Sequence, residues 1–337
     1  MRRSLLTVED LSVRFQTEGG VVQAVTGLSF ELQRGRTLAV VGESGSGKSA
    51  TGLALLGLHN RQRTEVTGRV EFDGTDLVPL DERAVSAFRG ARIAMVFQDA
   101  LTALSPYHTV ERQLTDGYRR RTGAGRQQAR ARAVEMLNRV GIPDPARRVA
   151  EYPHEFSGGM RQRVMIAMAL MGEPDLVIAD EPTTALDVTV QAQILDLLAD
   201  LQAESQLAIL LITHDLGVVS GVAHDVMVMY GGRCVEYGPT ADVLAAPEHP
   251  YTAGLLRSVP TLHGDADAEL LAIPGSPPNL LDPPPGCAFH PRCDARLRVA
   301  GDRCATTVPE LTALPLPDAS VRRLRACHLL LERSTAS

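Results

Sequence analysis

The sequence lacks long apolar runs and an excess of positive charge. No stretch approaches 18 consecutive apolar residues, and runs such as 207–212 are short, so no membrane-spanning helix is predicted. The first residues carry two arginines but no apolar segment long enough for a signal peptide. Acidic residues number 40 against 34 basic ones, which argues against binding nucleic acid mainly through phosphate contacts. The 44% hydrophobic and 22% charged residues are ordinary for a folded chain of 337 residues, which is too long for one minimal domain.

Lysine is almost absent. It occurs once, at Lys48, so the other 33 of the 34 basic residues are arginine. This bias is typical of a GC-rich genome, in which arginine replaces lysine wherever a generic cation suffices. The single lysine is therefore expected where a compact ammonium on a flexible stem is required.

Lys48 belongs to a glycine-rich octapeptide of the pattern G-x-x-x-x-G-K-[ST]. Its residues are Gly42, Glu43, Ser44, Gly45, Ser46, Gly47, Lys48 and Ser49. The run 37–41 before it predicts a buried strand, and the run 48–58 after it predicts a helix. Such a turn surrounds an anion with N–H groups, while Lys48 would reach the β and γ phosphates and the Ser49 hydroxyl would bind Mg²⁺. The octapeptide predicts a nucleoside triphosphate site rather than an ordinary surface turn.

Two acidic residues, Asp180 and Glu181, end the apolar run 176–179. This pattern predicts a buried strand that delivers carboxylates at its C-terminal end, where α/β sheets bind ligands. Asp180 is placed to hold the Mg²⁺ shell through water, and Glu181 to polarise the attacking water. The alternative is a strand followed by a solvated acidic turn.

A second anion-binding helix start is predicted at Ser157, Gly158 and Gly159, which precede the apolar run 164–171. Taken alone, these residues also fit an ordinary cap and turn. They lie more than a hundred residues from the first loop, so the pair of sites suggests that the second serves a neighbouring subunit.

Together these motifs resemble the ATP-binding cassette (ABC) subunits, with Ser157-Gly158-Gly159 matching the family signature and Met160 replacing the usual glutamine. The resemblance implies ATP and Mg²⁺ bound in a head-to-tail dimer, between the Lys48 loop of one subunit and the Ser157 helix start of the other. The resemblance also assigns roles to four other residues. They are Gln98 (the glutamine loop, which contacts Mg²⁺ and the transport subunit), Asp187 (the loop that crosses the dimer interface), His214 (the switch histidine at the γ-phosphate) and Phe15 (stacking on adenine). Singly, His214 also fits a core or capping histidine, and Gln98 a surface amide.

The resemblance implies an α/β fold: a P-loop NTPase core with a RecA-like sheet, an antiparallel β subdomain and an inserted helical subdomain. The predicted ATPase domain spans residues 1–245, with the helical insertion at about 99–155 and a cysteine-containing extension at 246–337. Within the insertion, Ala133, Val134, Leu137 and Val140 recur at helical spacing before Gly141.

The segments 152–156 and 249–256 resemble a narrower subfamily, the ATPase subunits of dipeptide and oligopeptide importers, whose relatives also serve nickel, opine and glutathione uptake. The resemblance implies two transmembrane permeases, an extracytoplasmic binding protein and a second ATPase subunit, with this chain at the cytoplasmic face of the bacterial inner membrane. By the same resemblance, the last ninety residues are not needed to hydrolyse ATP. An exporter motor and a soluble cassette ATPase acting on ribosomes or DNA are the alternatives.

Four of the five cysteines lie within or after a block of seven prolines in 274–291. They are Cys287, Cys293, Cys304 and Cys327. The resemblance to subfamily members with four such cysteines implies a [4Fe–4S] cluster, which is the leading expectation. A zinc site, with His290 or His328, and unligated thiols are the alternatives. Cys234 is expected to be a buried structural thiol.

Overall fold

The computed structural model describes residues 4–184, 186–258, 272–315 and 322–329, except for the side chains of residues 100 and 101. The strands are β1 (Ser4–Thr17), β2 (Gly20–Gln33), β3 (Thr37–Val41), β4 (Thr64–Phe72), β5 (Thr75–Asp76), β6 (Ile93–Val96), β7 (Leu176–Asp180), β8 (Ala208–Thr213), β9 (Asp225–Tyr230), β10 (Arg233–Pro239), β11 (Thr312–Ala313) and β12 (Leu324–Arg325).

Helices occupy much of the chain between these strands. They are α1 (Lys48–Leu55), α2 (Glu82–Ser86), α3 (Ala100–Ala103), α4 (Val110–Thr122), α5 (Arg126–Arg139), α6 (Pro145–Arg148), α7 (Gly158–Leu170), α8 (Val188–Ser205), α9 (Leu216–Val219), α10 (Thr240–Ala245), α11 (Pro250–Arg257) and α12 (Arg303–Thr306). Short 3-10 helices occur at Pro153–Glu155, His290–Arg292, Asp294–Arg298 and Ala300–Asp302. No helix among the described residues combines the length and apolarity needed to cross a bilayer.

The chain divides into two compact units, the first of which contains residues 32–37 and 80–212. Its strands β6, β7 and β8 are parallel neighbours, with Ile93 opposite Leu176 and Leu176 opposite Ala208. These strands are short and almost wholly apolar, as expected for parallel strands covered on both faces. Their C-terminal ends therefore lie at one edge and present the residues that follow them.

Helices fill the segment between β6 and the start of α7. The helices α4, α5 and α7 pack against one another. The apolar face predicted for α5 is buried at Ala133, Leu137 and the flanking Val140, while Val134 is partly buried. Gly141 has a φ of 74°, which glycine adopts without strain, so the helix ends where the sequence predicted.

The second unit contains residues 4–31, 38–79 and those from 213 onward. An antiparallel sheet in the order β2-β1-β4-β5 matches the predicted β subdomain. A second group of strands begins with the parallel pair β3 and β9 and continues antiparallel through β10 and β12 to β11.

The residues after 245 form part of the core of this second unit. Tyr251, Leu255 and Phe289 are buried against Val41 and Val228, which belong to β3 and β9. The strand β12 also pairs with β10. The extension is therefore packed directly behind the strand that leads into the glycine-rich loop.

Candidate functional site

The glycine-rich loop connects β3 to α1 and is shaped by close backbone packing. A Cβ atom on Gly42 would lie 2.2 Å from the carbonyl oxygen of Met229, and one on Gly47 would lie 2.2 Å from that of Ala24. Gly47 also has a φ of 101°, a conformation that other residues rarely adopt. These two positions require glycine, so the loop is held tightly against the strands behind it.

Lys48 is the first residue of α1 and is only 4% exposed. Its ammonium donates hydrogen bonds to the carbonyl oxygens of Gly42 at 2.7 Å and Glu43 at 3.0 Å. The loop therefore folds around the one lysine and places a positive charge on its inner side. This arrangement agrees with the expected need for a compact ammonium.

Polar groups at the start of α1 suit an anion. Within the described residues, the buried hydroxyl of Ser46 has no hydrogen-bond partner, and no side chain caps the helix at Gly47. The first N–H groups of a helix lack partners within the helix and attract negative charge. Ser49, the expected Mg²⁺ ligand, lies partly buried in this first turn. The loop therefore fits a phosphate chain in both shape and charge.

In the first unit, Glu181 follows the buried Asp180 at the end of β7. One of its carboxylate oxygens, Oε2, accepts hydrogen bonds from Gln98 Nε2 at 3.1 Å and Thr184 Oγ1 at 2.8 Å. The N–H of Glu181 donates to the Ile212 carbonyl at 2.8 Å, and its φ of 46° is unusual for a residue with a side chain. Gln98 and Glu181 were both predicted site residues, and the structure brings them into contact.

The residues of the predicted family signature lie at the N-terminus of α7. The Ser157 hydroxyl caps that helix by accepting from the N–H of Met160 at 3.3 Å. A Cβ atom on Gly159 would lie 2.6 Å from Val190 Cγ1, so glycine permits the close approach of α8. Asp187 caps α8 by accepting from the Val190 N–H at 3.0 Å. Ser157 and Asp187 are exposed, and the neighbouring Val188 is 82% exposed.

Two further predicted residues lie in the second unit. His214 is exposed directly after β8, and the following Asp215 caps α9. Phe15 on β1 is partly buried and stands edge-on to the ring of His59, with the centroids 5.2 Å apart. Burial lowers the pKa of His59, whose Nε2 also contacts the Ala50 carbonyl oxygen at 2.8 Å.

Comparison with known proteins agrees with this geometry. Residues 25–184 match the family model described as ABC transporter, and residues 235–299 match that described as oligopeptide/dipeptide transporter, C-terminal region. The chain is 52% identical to the dipeptide transport ATP-binding protein DppD of Bacillus subtilis over 296 residues, 88% of each chain. It is 50% identical to the oligopeptide transport ATP-binding protein OppD of Salmonella typhimurium over 328 residues, 97% of this chain and 94% of the relative.

The chain belongs to the ABC transporter ATPases. A solved dimeric ATP-binding cassette in a post-hydrolysis state, bound to ADP and phosphate, has a similar fold. It matches with a TM-score of 0.63 and 26% identity over 70% of this chain and 98% of its own. The predicted fold class is confirmed, and the chain is an ATPase that uses ATP with Mg²⁺ in transport.

The described side chains do not form the iron–sulfur site that the resemblance predicts for this ABC ATPase. Within the described residues, no three or more His, Cys, Asp or Glu side chains form a group that could hold a metal ion. The four cysteines of the extension are partly buried free thiols. The ring nitrogens of His290 and His328 contact the carbonyl oxygens of Cys287 at 2.9 Å and Thr307 at 2.8 Å. Cys234 is buried as expected, and burial raises its pKa to about 12.

Some contacts of this ABC ATPase were not predicted from the sequence. Thr184 follows Glu181 by three residues, yet threonine in that place carries no distinctive signal. His59 beside Phe15 was also missed. Arg292, which binds Glu43 of the phosphate-binding loop, is one of 33 arginines and is 249 residues from its partner. Ala185, the first residue of the expected interface loop 185–187, lies outside the described residues.

Proposed function

We propose that this chain is the ATP-hydrolysing subunit of an importer for dipeptides or oligopeptides. The observation that carries the proposal is the match of residues 235–299 to the oligopeptide/dipeptide transporter C-terminal region. The named peptide-transport relatives also resemble the chain over nearly its whole length, 97% in one case. The proposed division is an ATPase domain at 1–245, with its helical part at about 99–155, and a transporter-specific extension at 246–337.

The residues of the glycine-rich loop are proposed to bind the triphosphate. Lys48 would exchange its carbonyl partners for β- and γ-phosphate oxygens, because both kinds of partner accept hydrogen bonds from an ammonium. The free hydroxyl of Ser46 and the backbone of Gly45 and Gly47 would line the phosphates. Phe15 would stack on adenine.

The two carboxylates at the end of β7 are proposed to act in hydrolysis. When bound, Mg²⁺ would neutralise charge on the phosphates, with Ser49, Gln98 and Asp180 around it. Glu181 would accept a hydrogen bond from the attacking water and orient it, and His214 would contact the γ-phosphate. The bonds from Gln98 and Thr184 support this role because they fix the carboxylate of Glu181.

Two copies, or this chain and a paralogue, are proposed to close head-to-tail over ATP. The signature residues Ser157, Gly158 and Gly159 would contact the nucleotide of the facing subunit, and Asp187 would lie in the interface. The exposure of Ser157, Asp187 and the apolar Val188 supports this arrangement, because all three lie on the accessible side of neighbouring helix starts. Two permeases and an extracytoplasmic binding protein would complete the importer, with this chain at the cytoplasmic face of the inner membrane.

Uptake by cells that carry the gene tests this function. The cells express the Glu181→Gln variant in place of the native chain. Uptake of labelled dipeptides and hexapeptides is measured, and uptake of nickel, an opine and glutathione is measured in parallel. We expect peptide uptake to be lost while Glu204→Gln, the same change at an exposed position of α8, keeps it. Loss of only nickel, opine or glutathione uptake would contradict the peptide assignment and support the corresponding alternative.

We also propose that the extension binds a [4Fe–4S] cluster, as its resemblance to the subfamily implies. The supporting features are four partly accessible thiols and the bond from the Cys287 N–H to the Cys304 carbonyl at 2.8 Å. The side chains as described do not form a metal site, so the proposal depends on iron and sulfide analysis of anaerobically purified protein. We expect iron and sulfide in the wild-type chain and in Cys234→Ala, and their loss in Cys293→Ser. A colourless chain with stoichiometric zinc would contradict the cluster.

A further inference from the structure

Glu43, the second residue of the phosphate-binding loop, is bound by two residues from the C-terminal extension. The hydroxyl oxygen of Tyr251 accepts a hydrogen bond from the Glu43 N–H at 2.8 Å. Arg292 donates to both carboxylate oxygens of Glu43, from Nη1 at 2.6 Å and from Nη2 at 3.1 Å. A two-point arginine–carboxylate contact fixes orientation as well as distance.

The guanidinium of Arg292 is itself held in place. Its Nε donates to the Pro274 carbonyl at 2.8 Å, Nη2 donates to the Ile273 carbonyl at 3.2 Å, and Nη1 also donates to the Tyr230 hydroxyl at 3.3 Å. The side chain of Arg292 is only 5% exposed. A charge this deeply buried is stable only when it is paired and hydrogen-bonded, so Glu43 and Arg292 depend on each other.

Aromatic rings support both contacts, in a chain with only 4% aromatic residues. The rings of Tyr230, Tyr251 and Phe289 pack together with centroids 4.5 to 5.3 Å apart. The guanidinium of Arg292 lies 5.8 Å from the ring centroid of Tyr230 and 6.0 Å from that of Phe289. Rigid packed rings leave Tyr251 and Arg292 few alternative positions.

The start of α11 is fixed by a buried carboxylate. Glu236 accepts from the N–H groups of Glu248 at 2.9 Å and His249 at 3.0 Å, and Arg323 donates to it at 3.2 Å. His249 Nδ1 in turn accepts from the Tyr251 N–H at 3.0 Å. These bonds set the position of Tyr251, whose hydroxyl contacts the loop.

The other side of Glu43 faces the lysine of the same loop. Lys48 donates to the Glu43 carbonyl at 3.0 Å, so the N–H, the carboxylate and the carbonyl of Glu43 each have a defined partner. A shift of Glu43 would therefore move one of the two carbonyls that hold the ammonium.

We propose that Tyr251 and Arg292 are positioning residues of the phosphate-binding loop, through which the C-terminal extension raises the affinity of the site for nucleotide. This inference rests on the proposed binding of ATP at the Lys48 loop. It goes beyond the expectation that the last ninety residues are not needed to hydrolyse ATP, because the extension fixes the loop in its binding shape before ATP arrives. Preorganisation of this kind removes an ordering cost from binding.

The test is a double-mutant cycle on the full chain. ATP affinity is measured by fluorescence titration without Mg²⁺, and the steady-state KM and kcat are measured with it, for Glu43→Gln, Arg292→Gln and the double variant. We expect each single change to raise Kd and KM about tenfold with kcat nearly unchanged, since loop positioning acts on binding. The double variant should bind no more weakly than the weaker single variant, because each single change leaves a buried partner unpaired.

Further variants separate loop positioning from general stability. Tyr251→Phe keeps the ring and removes the hydroxyl, so Kd should rise about threefold. Glu310→Gln changes an exposed side chain of the same extension and should leave Kd and KM unchanged. If Arg292→Gln does not fold, Arg292→Lys replaces it in the cycle, because it keeps the charge and loses the two-point contact.

The outcomes are distinct. A folded Arg292 variant with a Kd within twofold of wild type, or effects of Glu43 and Arg292 that simply multiply, would overturn the positioning role. A wild-type chain that neither binds nor hydrolyses ATP would instead refute the proposed function.

Discussion

The side-chain amide of Gln98 donates a hydrogen bond of 3.1 Å to the carboxylate of Glu181. The two residues are 83 positions apart, and they meet because each follows one of two neighbouring parallel strands, β6 and β7. The Thr184 hydroxyl binds the same oxygen of Glu181 at 2.8 Å. The carboxylate is therefore fixed before any substrate is bound, as a group that orients water requires.

Replacing Glu181 with Gln should stop hydrolysis while ATP still binds. The amide keeps the shape of the side chain but is a far poorer acceptor for a water proton, so turnover should fall at least about a hundredfold. We expect a trapped dimer in the presence of ATP and Mg²⁺, measured by light scattering, and little phosphate release. Glu204→Gln is the matched control, and continued rapid turnover of Glu181→Gln would contradict the role of Glu181.

Lys48→Arg should weaken nucleotide binding although the charge is kept. The ammonium is buried and lies at 2.7 and 3.0 Å from two loop carbonyls, which leaves little room for the larger planar guanidinium. We expect the Kd for ATP in a fluorescence titration to rise about tenfold or more, equivalent to ~1.4 kcal/mol. The exposed change Arg126→Lys on α5 serves as the control. Wild-type affinity of Lys48→Arg would show that any cation suffices.

The two signature glycines should differ in their tolerance of alanine. A Cβ atom on Gly159 would lie 2.6 Å from Val190, whereas one on Gly158 would lie 3.7 Å from Leu186, which is ordinary contact. Gly159→Ala should therefore lower the free energy of unfolding by about 1–3 kcal/mol, measured by chemical denaturation, because α8 must shift. Gly158→Ala should be nearly neutral in the same assay, and equal effects of the two changes would contradict this packing argument.

His249 should make the folded state sensitive to acid. Burial, with a smaller effect of Arg325, lowers the pKa of His249 to about 3 from 6.5. Between these two values the unfolded chain binds a proton that the folded chain does not, so this contribution to stability falls as the pH falls. Protonation would also place a hydrogen on Nδ1, which accepts the Tyr251 N–H at 3.0 Å.

The measurement compares wild type with His249→Asn, whose side-chain oxygen also caps a helix but does not titrate. Between pH 6 and 5 the wild type should lose up to about 1.4 kcal/mol more of its unfolding free energy than the variant. Equal pH slopes in chemical denaturation would mean that His249 does not titrate as inferred.

Short-range patterns predicted much of the fold. The run 37–41 is β3, and the helix predicted at 48–58 forms from Lys48 to Leu55. Helix α1 ends early because Gly57, with a φ of 59°, turns the chain. These elements could be predicted from the sequence because the pattern of apolar and polar residues, apolar runs and glycine positions determines local structure over only a few residues.

The candidate site was predicted in its motifs but not in its full set of contacts. Gln98 and Glu181 were both named from the sequence, whereas Thr184, whose hydroxyl donates to the same oxygen of Glu181, was not. The cluster expected at the four cysteines stays a prediction, since the described side chains do not form a group that could hold a metal ion. Spacing along a chain limits which residues can meet but does not set side-chain directions.

By itself the sequence determined the phosphate-binding loop, the carboxylates at the end of β7 and the capped N-terminus of α7, because each is a local pattern with its own geometry. Only the tertiary structure decided that Arg292 binds Glu43 across 249 residues and that Tyr251 binds its N–H. Such contacts form when segments that are distant in sequence pack into the same buried core. An arginine left unpaired in that core would cost free energy, so its guanidinium pairs with the carboxylate that the fold places beside it. The residues next to Arg292 in the sequence do not indicate its partner, since the pairing depends on the packing of the whole unit.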